Sequence, residues 1–317
     1  MKIKNILLPT DFSPCAESAI PQAVFLTRES GALLHLFHAV ECGGIPAVDE
    51  VRLVSIDEEF TQRMESTARY RLEHALKGHR TSSLPIVRVH RRCMSAAPEI
   101  LSYAKNNHID LIIMGTHGWR GFRHLVLGSV TEELIRLAPC PVLSIRQTTT
   151  PKPPPDTERI LVPIDFSPYS LKALDLARNL AQLYDAHLQL LYVVQPPLLP
   201  SFYVRSKKGM LQMDELLNHA EQELLRCNSE AEGPDIPIEI HVQTGRAAST
   251  IIRFAAEENS DMIVMTTHGM TGMKYFLIGS VAQKVIQRAP CPVLTLKPKP
   301  KGATALPLDR LDSRIDH

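Results

Sequence analysis

The chain has 317 residues, a formal net charge of +1, 44% hydrophobic residues and 22% charged residues. A chain of this length divides into about two domains, and its composition is that of folded rather than disordered proteins. The charge balance argues against nucleic acid and anionic membranes as partners, and no apolar run reaches the ~18 residues of a membrane span.

The first predicted element is a short strand at residues 5–9. We expect a strand here and not a signal peptide, because Pro9 and Asp11 end the apolar run after about four residues. Without a secretory signal, we expect a cytoplasmic location and reduced cysteines. None of the cysteines has the spacing of a CxxC or zinc motif.

Strand-like and helix-like segments then alternate along the chain. Further apolar runs of strand length lie at residues 33–40, 86–90, 110–115 and 141–145. One intervening segment repeats apolar residues every three to four positions, which predicts one buried helix face: Phe60, Met64, Ala68, Leu72 and Ala75. Pro21 lies inside the first helical segment, so we expect that helix to kink or to start late. This alternation predicts a doubly wound parallel sheet.

The sequence contains an internal duplication. Residues 110–146 and 261–297 align without gaps and share 17 identities in 37 positions, and residues 6–14 match residues 160–168. Repeats on this scale indicate a duplicated structural unit. We therefore predict an α/β protein made of two tandem doubly wound, Rossmann-like domains.

The duplication also sets the domain boundaries. Proline clusters between the two copies, which favours an extended, semi-rigid linker. The tail is rich in proline and charge and carries little periodicity. The predicted units are residues 1–146 (the first repeat), residues 147–158 (the linker), residues 159–297 (the second repeat) and residues 298–317 (the tail).

An aspartate follows the first strand of each repeat, at Asp11 and Asp165. Ligands of open α/β sheets bind beyond the carboxyl ends of the strands, where an acid can accept hydrogen bonds from ribose hydroxyls. The alternative is structural, because Ser13 and Pro14 form a helix start that the aspartate would only support.

A glycine-containing loop follows the fourth strand of the first repeat. Gly115 and Gly118 are separated by two residues, and nine residues later come Gly128 and Ser129. Glycine permits positive φ and close approach of backbone amides to an anion, and a helix start attracts phosphate. The alternative for the serine is a capping box with Glu132.

This loop pattern resembles the ATP-binding signature of the universal stress protein family. The flanking segments DLIIMGTHG, APCPVL and PTDFS resemble that family too, and the resemblance covers both repeats. It implies a five-stranded parallel sheet in each repeat, of the adenine nucleotide α-hydrolase-like type, with ATP at its carboxyl edge. It also implies that the last strands of the two repeats pair antiparallel.

The resemblance assigns a role to individual residues. Asp11 would contact the ribose, and the backbone of Val40 would contact the adenine. The residues assigned to the phosphates, with Mg²⁺ or Mn²⁺, are Gly115, Gly118, Gly128 and Ser129. The corresponding residues of the second repeat are Asp165, Val194, Gly269, Gly279 and Ser280.

The second repeat departs from the pattern at Thr266, which stands where the first repeat has Gly115. A β-branched residue disfavours positive φ and fills space that phosphates would need. Thr271 also replaces Arg120. We therefore expect the first repeat to be the better nucleotide site.

No catalytic machinery emerges from the sequence. It has no P-loop, no dinucleotide fingerprint and no nucleophile elbow, and we assign no catalytic residue and no metal ligand. The leading hypothesis is an ATP-binding stress-response sensor or regulator that contacts an unidentified protein partner and hydrolyses ATP slowly at most. The alternatives are a nucleotide-independent interaction scaffold and a weak ATPase or nucleotidyl-transfer enzyme. A homodimer remains open at this point.

Overall fold

The computed structural model describes residues 2–42, 58–118, 127–146, 154, 156–195, 207–268 and 277–297. In the first repeat, the elements are β1 Asn5–Pro9, α1 Pro14–Glu17, α2 Ile20–Ser30, β2 Leu33–Glu41, α3 Glu58–His74, β3 Ile86–Cys93, α4 Ala96–Asn106, β4 Leu111–Gly115, α5 Ser129–Leu137 and β5 Val142–Ile145. In the second repeat, they are β6 Arg159–Ile164, α6 Pro168–Tyr184, β7 His187–Val194, α7 Lys207–Glu230, β8 Ile238–Thr244, α8 Ala247–Glu257, β9 Met262–Thr266, α9 Ser280–Arg288 and β10 Val293–Leu296.

The ten strands form one sheet in the order β3-β2-β1-β4-β5-β10-β9-β6-β7-β8. All pairs within a repeat are parallel, and the two repeats meet where β5 and β10 pair antiparallel. The predicted α/β class, with a five-stranded parallel sheet in each repeat, is confirmed, as is the antiparallel pairing of the last strands. Each closing strand thereby covers an edge that the other would expose.

Side chains add to the backbone pairing at this junction. The Ser144 hydroxyl donates to the Val293 carbonyl at 3.0 Å, and the Thr295 hydroxyl donates to the Val142 carbonyl at 3.2 Å. Nearby, Tyr184 of α6 donates to the Gln22 side chain of α2 and is fully buried. These contacts bind the repeats into one molecule.

Helices cover both faces of the sheet, and one core lies on each face. The core under α2, α3 and α6 continues from one repeat into the other, as does the core under α4, α5, α8 and α9. Strand residues such as Leu7 and Leu8 point to opposite faces and are both fully buried. Burial on both faces explains why these strands read as continuous apolar runs.

Two details of the helices test the sequence interpretation. Ala68 and Leu72 of α3 are buried as predicted, but Phe60 is 55% exposed, and its neighbour Thr61 is the residue of the first turn that is buried instead. Pro21 stands in the first turn of α2, after the single turn of α1 has ended. The late helix start is therefore confirmed, and α6, with Asp175 at the matching position, runs unbroken. None of the helices that the structure describes is both long and apolar enough to span a bilayer.

Candidate functional site

The candidate site of the first repeat lies at the carboxyl ends of β1 and β4. These neighbouring strands carry helices on opposite faces of the sheet, which is the point where ligands bind in open α/β sheets. The structure brings Asp11 and Gly118 together here, because a Cβ atom on Gly118 would lie 2.5 Å from Asp11 Oδ2. A side chain at residue 118 would force the loop or the carboxylate out of this arrangement.

The turn after β1 is tightly built around Asp11. Its Oδ1 atom accepts a hydrogen bond from the Ser13 amide at 3.0 Å, and the Ser13 hydroxyl caps α1 by accepting from the Ala16 amide at 3.2 Å. The structural role proposed for Asp11 is therefore real. It occupies one carboxylate oxygen, while the other faces the Gly118 loop, so the two roles are compatible.

Phe12 adopts a backbone conformation that is costly for its residue type. Its φ is +59°, and Phe166 in the second repeat has φ +61° at the equivalent place. A bulky residue in the left-handed region costs about 1–3 kcal/mol and occurs mostly at functional sites. The residue type does not predict this positive φ, because phenylalanine has no preference for the left-handed region.

The second repeat builds the same turn. Asp165 Oδ1 accepts from both the amide and the hydroxyl of Ser167, at 3.1 and 2.6 Å. The Ser167 hydroxyl accepts in turn from the Ser170 amide and caps α6. The aspartate turn is thus a property of both repeats.

The helix after the glycine loop does not start as the alternative hypothesis requires. Gly128 is the N-cap of α5, with no side-chain cap, and Ser129 is already helical. The capping box between Ser129 and Glu132 is therefore not formed, because a capping serine must precede the helix. The Ser129 side chain is exposed. The Glu132 amide donates to the Gly128 carbonyl, and the amides before it in α5 have no acceptor within the helix.

Gly128 is held where a side chain would be tightly crowded. Its amide donates to the Thr116 carbonyl at 2.9 Å, and a Cβ atom there would lie 3.1 Å from the same oxygen. Gly279 repeats this: its amide bonds to the Thr267 carbonyl at 2.8 Å, and it caps the helix that begins at Ser280. Gly269, the remaining predicted residue of the second repeat, lies outside the described residues.

Positive φ, one of the two reasons expected for these glycines, is wrong. Neither Gly115 nor Gly118 nor Gly128 has a positive φ. A Cβ atom on Gly115 would lie 2.5 Å from the Cys15 carbonyl oxygen. Gly115 is therefore required because α1 packs directly against the end of β4.

The same packing changes the expected effect of Thr266 on phosphate binding in the second repeat. In the second repeat, the Thr266 hydroxyl donates to the His268 carbonyl at 2.7 Å and so ties down the start of the loop. Since Gly115 has ordinary φ and its Cβ direction faces α1, Thr266 does not by itself argue against phosphate binding.

The structure also refines the predicted adenine contact. Backbone groups alternate along β2: the Leu33 amide donates to the Lys4 carbonyl just before β1, and the Leu34 amide donates to the Pro85 carbonyl just before β3. By this alternation the backbone of Val40 faces β3, and that of Ala39 faces the side where β1 has ended. The Val194 carbonyl of the second repeat likewise accepts from the Gly245 amide at 3.0 Å.

An aromatic and cationic cluster flanks the site in the first repeat. The His38 ring packs on Phe12 at 4.5 Å, and the Arg71 guanidinium lies 5.5 Å from the centre of the Phe12 ring. His38 Nδ1 donates to the Thr10 carbonyl at 2.7 Å. Burial lowers the pKa of His38 despite this hydrogen bond and the nearby Asp11 charge, so the ring is neutral at neutral pH.

Among the described residues, no group of three or more His, Cys, Asp or Glu side chains is placed to hold a metal ion. Arg120 and Thr271 lie outside the described residues, so the effect of this exchange between the repeats stays a prediction.

Comparisons with known proteins agree on one family. The sequence model of the Universal stress protein family matches residues 2–146 and again residues 157–297. A universal stress protein of Methanocaldococcus jannaschii is 37% identical over 145 residues, which cover 45% of this chain and 84% of that protein. One from Synechocystis sp. is 24% identical over 315 residues, covering 93% of this chain and 100% of that protein. The crystal structure of a universal stress protein from Archaeoglobus fulgidus matches the fold with a TM-score of 0.66 at 19% identity, covering 94% of this chain and 99% of that one.

Proposed function

Because the chain belongs to the universal stress protein family, we propose that it binds one ATP in each repeat and serves as a stress-response sensor or regulator. In this proposal the bound nucleotide changes the contacts that the protein makes with a protein partner. Hydrolysis, where it occurs, is slow. A cytoplasmic location is part of the proposal and is consistent with six free cysteines.

The approach of Asp11 to Gly118 is the observation that carries the proposal. A carboxylate and a glycine loop meet at the switch point of the sheet, with 2.5 Å between Oδ2 and the place of a Gly118 side chain. A carboxylate in this place accepts hydrogen bonds from the two ribose hydroxyls. The strained residue beside it, Phe12, supports a functional role for the turn.

The first turn of α5 fits the phosphates. Gly128 leaves the leading amides without a side-chain acceptor, and the nine-residue helix adds its dipole. Ser129 adds an exposed hydroxyl at the same point. The equivalent helix α9 offers Gly279 and Ser280 in the same conformation, with φ −61° and ψ 144° at the glycine. This equivalence supports a site in each repeat.

Mg²⁺ or Mn²⁺ fits the proposal as a companion of the phosphates. These cations are commonly held by substrate phosphates, water and one or two carboxylates rather than by a protein cage. When bound, the cation neutralises phosphate charge. In this proposal Ser129 and Ser280, at the helix starts, would hold the phosphates together with the cation.

The residues around the site support binding more than turnover. His117 Nδ1 lies 2.8 Å from the Thr116 hydroxyl, and His268 Nδ1 lies 2.9 Å from that of Thr267. The same contact in both repeats favours a loop-positioning role for these histidines. General acid–base catalysis requires a group within reach of the transferred proton, and we assign none.

Calorimetric titration of the purified chain with ATP and Mg²⁺ tests the proposal, with GTP as the control for base recognition. We expect two ATP per chain and weaker binding of GTP. No binding heat with either nucleotide would leave the interaction scaffold as the better account. Steady-state phosphate release above a few turnovers per hour would instead support a weak enzyme.

A further inference from the structure

Two cysteines meet at the ends of β2 and β3. Cys42 directly follows the last residue of β2, and Cys93 is the last residue of β3. The Cys42 amide donates to the Cys93 carbonyl at 2.9 Å. The two thiols also turn toward one atom, because Cys42 Sγ lies 3.6 Å and Cys93 Sγ lies 3.9 Å from the Val40 carbonyl oxygen.

This pairing places the backbones at disulfide distance. Cys93 stands directly opposite Glu41 on the neighbouring strand, and Cys42 is one residue further along. A strand spacing of ~4.8 Å and a rise of ~3.3 Å put the Cα atoms of Cys42 and Cys93 roughly 5.8 Å apart. Disulfides span about 4.4–6.8 Å between Cα atoms. Successive side chains of a strand point to opposite faces, and Cys42 follows Glu41, the residue opposite Cys93. The disulfide therefore requires Cys42, which lies beyond the end of β2, to turn about its N–Cα bond toward Cys93.

These two thiols are also the accessible ones. Cys42 and Cys93 are partly exposed, whereas Cys15, Cys227 and Cys291 are buried. Cys140 is partly exposed too, but burial raises the pKa of its thiol to about 12, which suppresses its thiolate. Among the six cysteines, Cys42 and Cys93 are therefore the neighbouring pair that an oxidant in solution can reach.

We propose that Cys42 and Cys93 form a reversible intramolecular disulfide when the protein meets a hydroperoxide. A Cys42 thiolate attacks the peroxide oxygen and becomes a sulfenic acid, which breaks the O–O bond and releases water or an alcohol. The Cys93 thiol then attacks the sulfenic sulfur, and water leaves as the S–S bond forms. The peroxide is reduced by two electrons, and the two thiols are oxidised.

The surroundings assign the order of these steps. Burial, together with the nearby carboxylates of Glu41 and Glu99, raises the pKa of Cys93. A protonated thiol is a poor first nucleophile, which makes Cys93 the resolving partner. Thiol pairs that oxidise transiently are the form in which disulfides occur in reducing compartments.

The disulfide would change the first repeat and leave the second unaffected. It would fix the end of β2 two residues beyond Val40, beside the cleft, while the sequence places Pro196 and Gly245 at the equivalent positions of the second repeat. Any effect on ATP rests on the proposed function. We expect the affinity of the first repeat to fall severalfold on oxidation, with the second repeat unchanged.

Peptide mapping of the full chain tests the disulfide without reference to nucleotide. The protein is treated with hydrogen peroxide, blocked with N-ethylmaleimide and digested with trypsin without reductant. We expect residues 29–52 linked to residues 93–105, two hydrogens lighter than the sum of the two peptides, and separated again by dithiothreitol. Recovery of Cys42 and Cys93 in separate peptides, or linked to another chain, would overturn the proposal.

Serine variants supply the matched controls. C42S and C93S each remove one thiol without a change in side-chain shape, so each should abolish the linked peptide. A linked peptide that persists in either variant would contradict the assignment. Calorimetry with ATP on the oxidised protein and on the oxidised double variant C42S/C93S then separates the two proposals. If the link forms but the reduced protein binds no ATP, the proposed function fails and the disulfide stands.

Discussion

The two repeats build the same cleft floor, which consists of the aspartate turn after the first strand and the glycine-capped helix start, but they support it differently. Asp11 and Asp165 make equivalent turns, and Gly128 and Gly279 cap equivalent helices. The difference lies behind this floor, where Gly115 admits the Cys15 backbone of α1 and Thr266 instead bonds to its own loop. The comparison teaches that one motif glycine supports the packing of a helix, whereas others shape the face toward the proposed ligand.

Exchanging the two supporting residues should have the largest effect. We expect G115T to lower the free energy of unfolding by about 3 kcal/mol, because its Cβ atom would collide with the Cys15 carbonyl. The reverse exchange, T266G, should cost only about 1 kcal/mol, from a lost hydrogen bond and added chain entropy. Urea unfolding measures both changes. The comparison would fail if folded G115T lost ATP while keeping the stability of the parent.

A methyl group on the loop should remove one of the two sites. G118A puts a Cβ atom 2.5 Å from Asp11 Oδ2, so either the loop or the carboxylate must move out of the present arrangement. We expect at least about a hundredfold loss of ATP affinity in the first repeat, equivalent to ~2.7 kcal/mol. Calorimetry should then count one ATP per chain instead of two. The matched variant G269A should silence the second repeat, and an unchanged count in G118A would refute the loop assignment.

Removal of the carboxylates should weaken each site by a similar amount. Hydrogen bonds to a charged group contribute about 1.5–3 kcal/mol, so D11A should lose roughly tenfold to hundredfold in affinity. D165A should do the same in the second repeat. D11N is the control, because its amide oxygen still accepts from the Ser13 amide and preserves the turn. Equal binding by D11A and the parent would leave the aspartate with a structural role alone.

The serine after the helix cap should matter for ligand and little for folding. Because Gly128 is the cap, S129A should change the unfolding free energy by less than about 0.5 kcal/mol. Its ATP affinity should fall by up to about tenfold through one lost hydrogen bond. Thermal unfolding and calorimetry on the same sample measure both. A stability loss near 1 kcal/mol with full binding would restore the capping role.

The smallest expected difference concerns pH. In the folded chain, burial lowers the pKa of His38 below its ordinary value of about 6.5. The unfolded chain therefore takes up this proton first as pH falls below about 6.5, and stability declines until the folded pKa is passed. The second repeat has Tyr192 here, which packs on Phe166 at the same 4.5 Å. H38Y should therefore flatten stability between pH 6.5 and the folded pKa.

Other titratable groups also contribute to the pH dependence of stability. His35 also has a pKa lowered by burial and will leave some slope in H38Y. Asp11, Arg71 and His90 are the charged and titratable groups that act on His38. Urea unfolding at pH 7 and at pH 5 gives the two values that matter. An unchanged difference between them in H38Y would show that His38 is not the source.

Much of the fold was predictable because the sheet is buried on both faces. Runs such as Leu111–Gly115 are apolar throughout, which predicts both their length and their parallel pairing. The meeting of Asp11 with Gly118 was predictable too, since the carboxyl ends of parallel strands share one edge. Pro21 announced the late start of α2 because proline fits only the first turn of a helix.

Other features depend on contacts that the sequence does not encode locally. The positive φ of Phe12 is imposed by the turn around it, and phenylalanine carries no such preference. Which backbone oxygen touches Gly115 depends on where α1 docks. Two predicted roles fall on the preceding residue in the structure. Gly128 rather than Ser129 caps the helix, and the backbone of Ala39 rather than that of Val40 faces the side of β2 where β1 has ended.

Counting nucleotide on the purified chain tests the central claim most directly. The protein is saturated with ATP and Mg²⁺, freed of unbound nucleotide and denatured, and the adenine released per chain is quantified. The equivalence of the two cleft floors predicts two. A value of one, with the second repeat empty, would contradict that equivalence and return the difference to Thr266, and a value of zero would contradict nucleotide binding altogether.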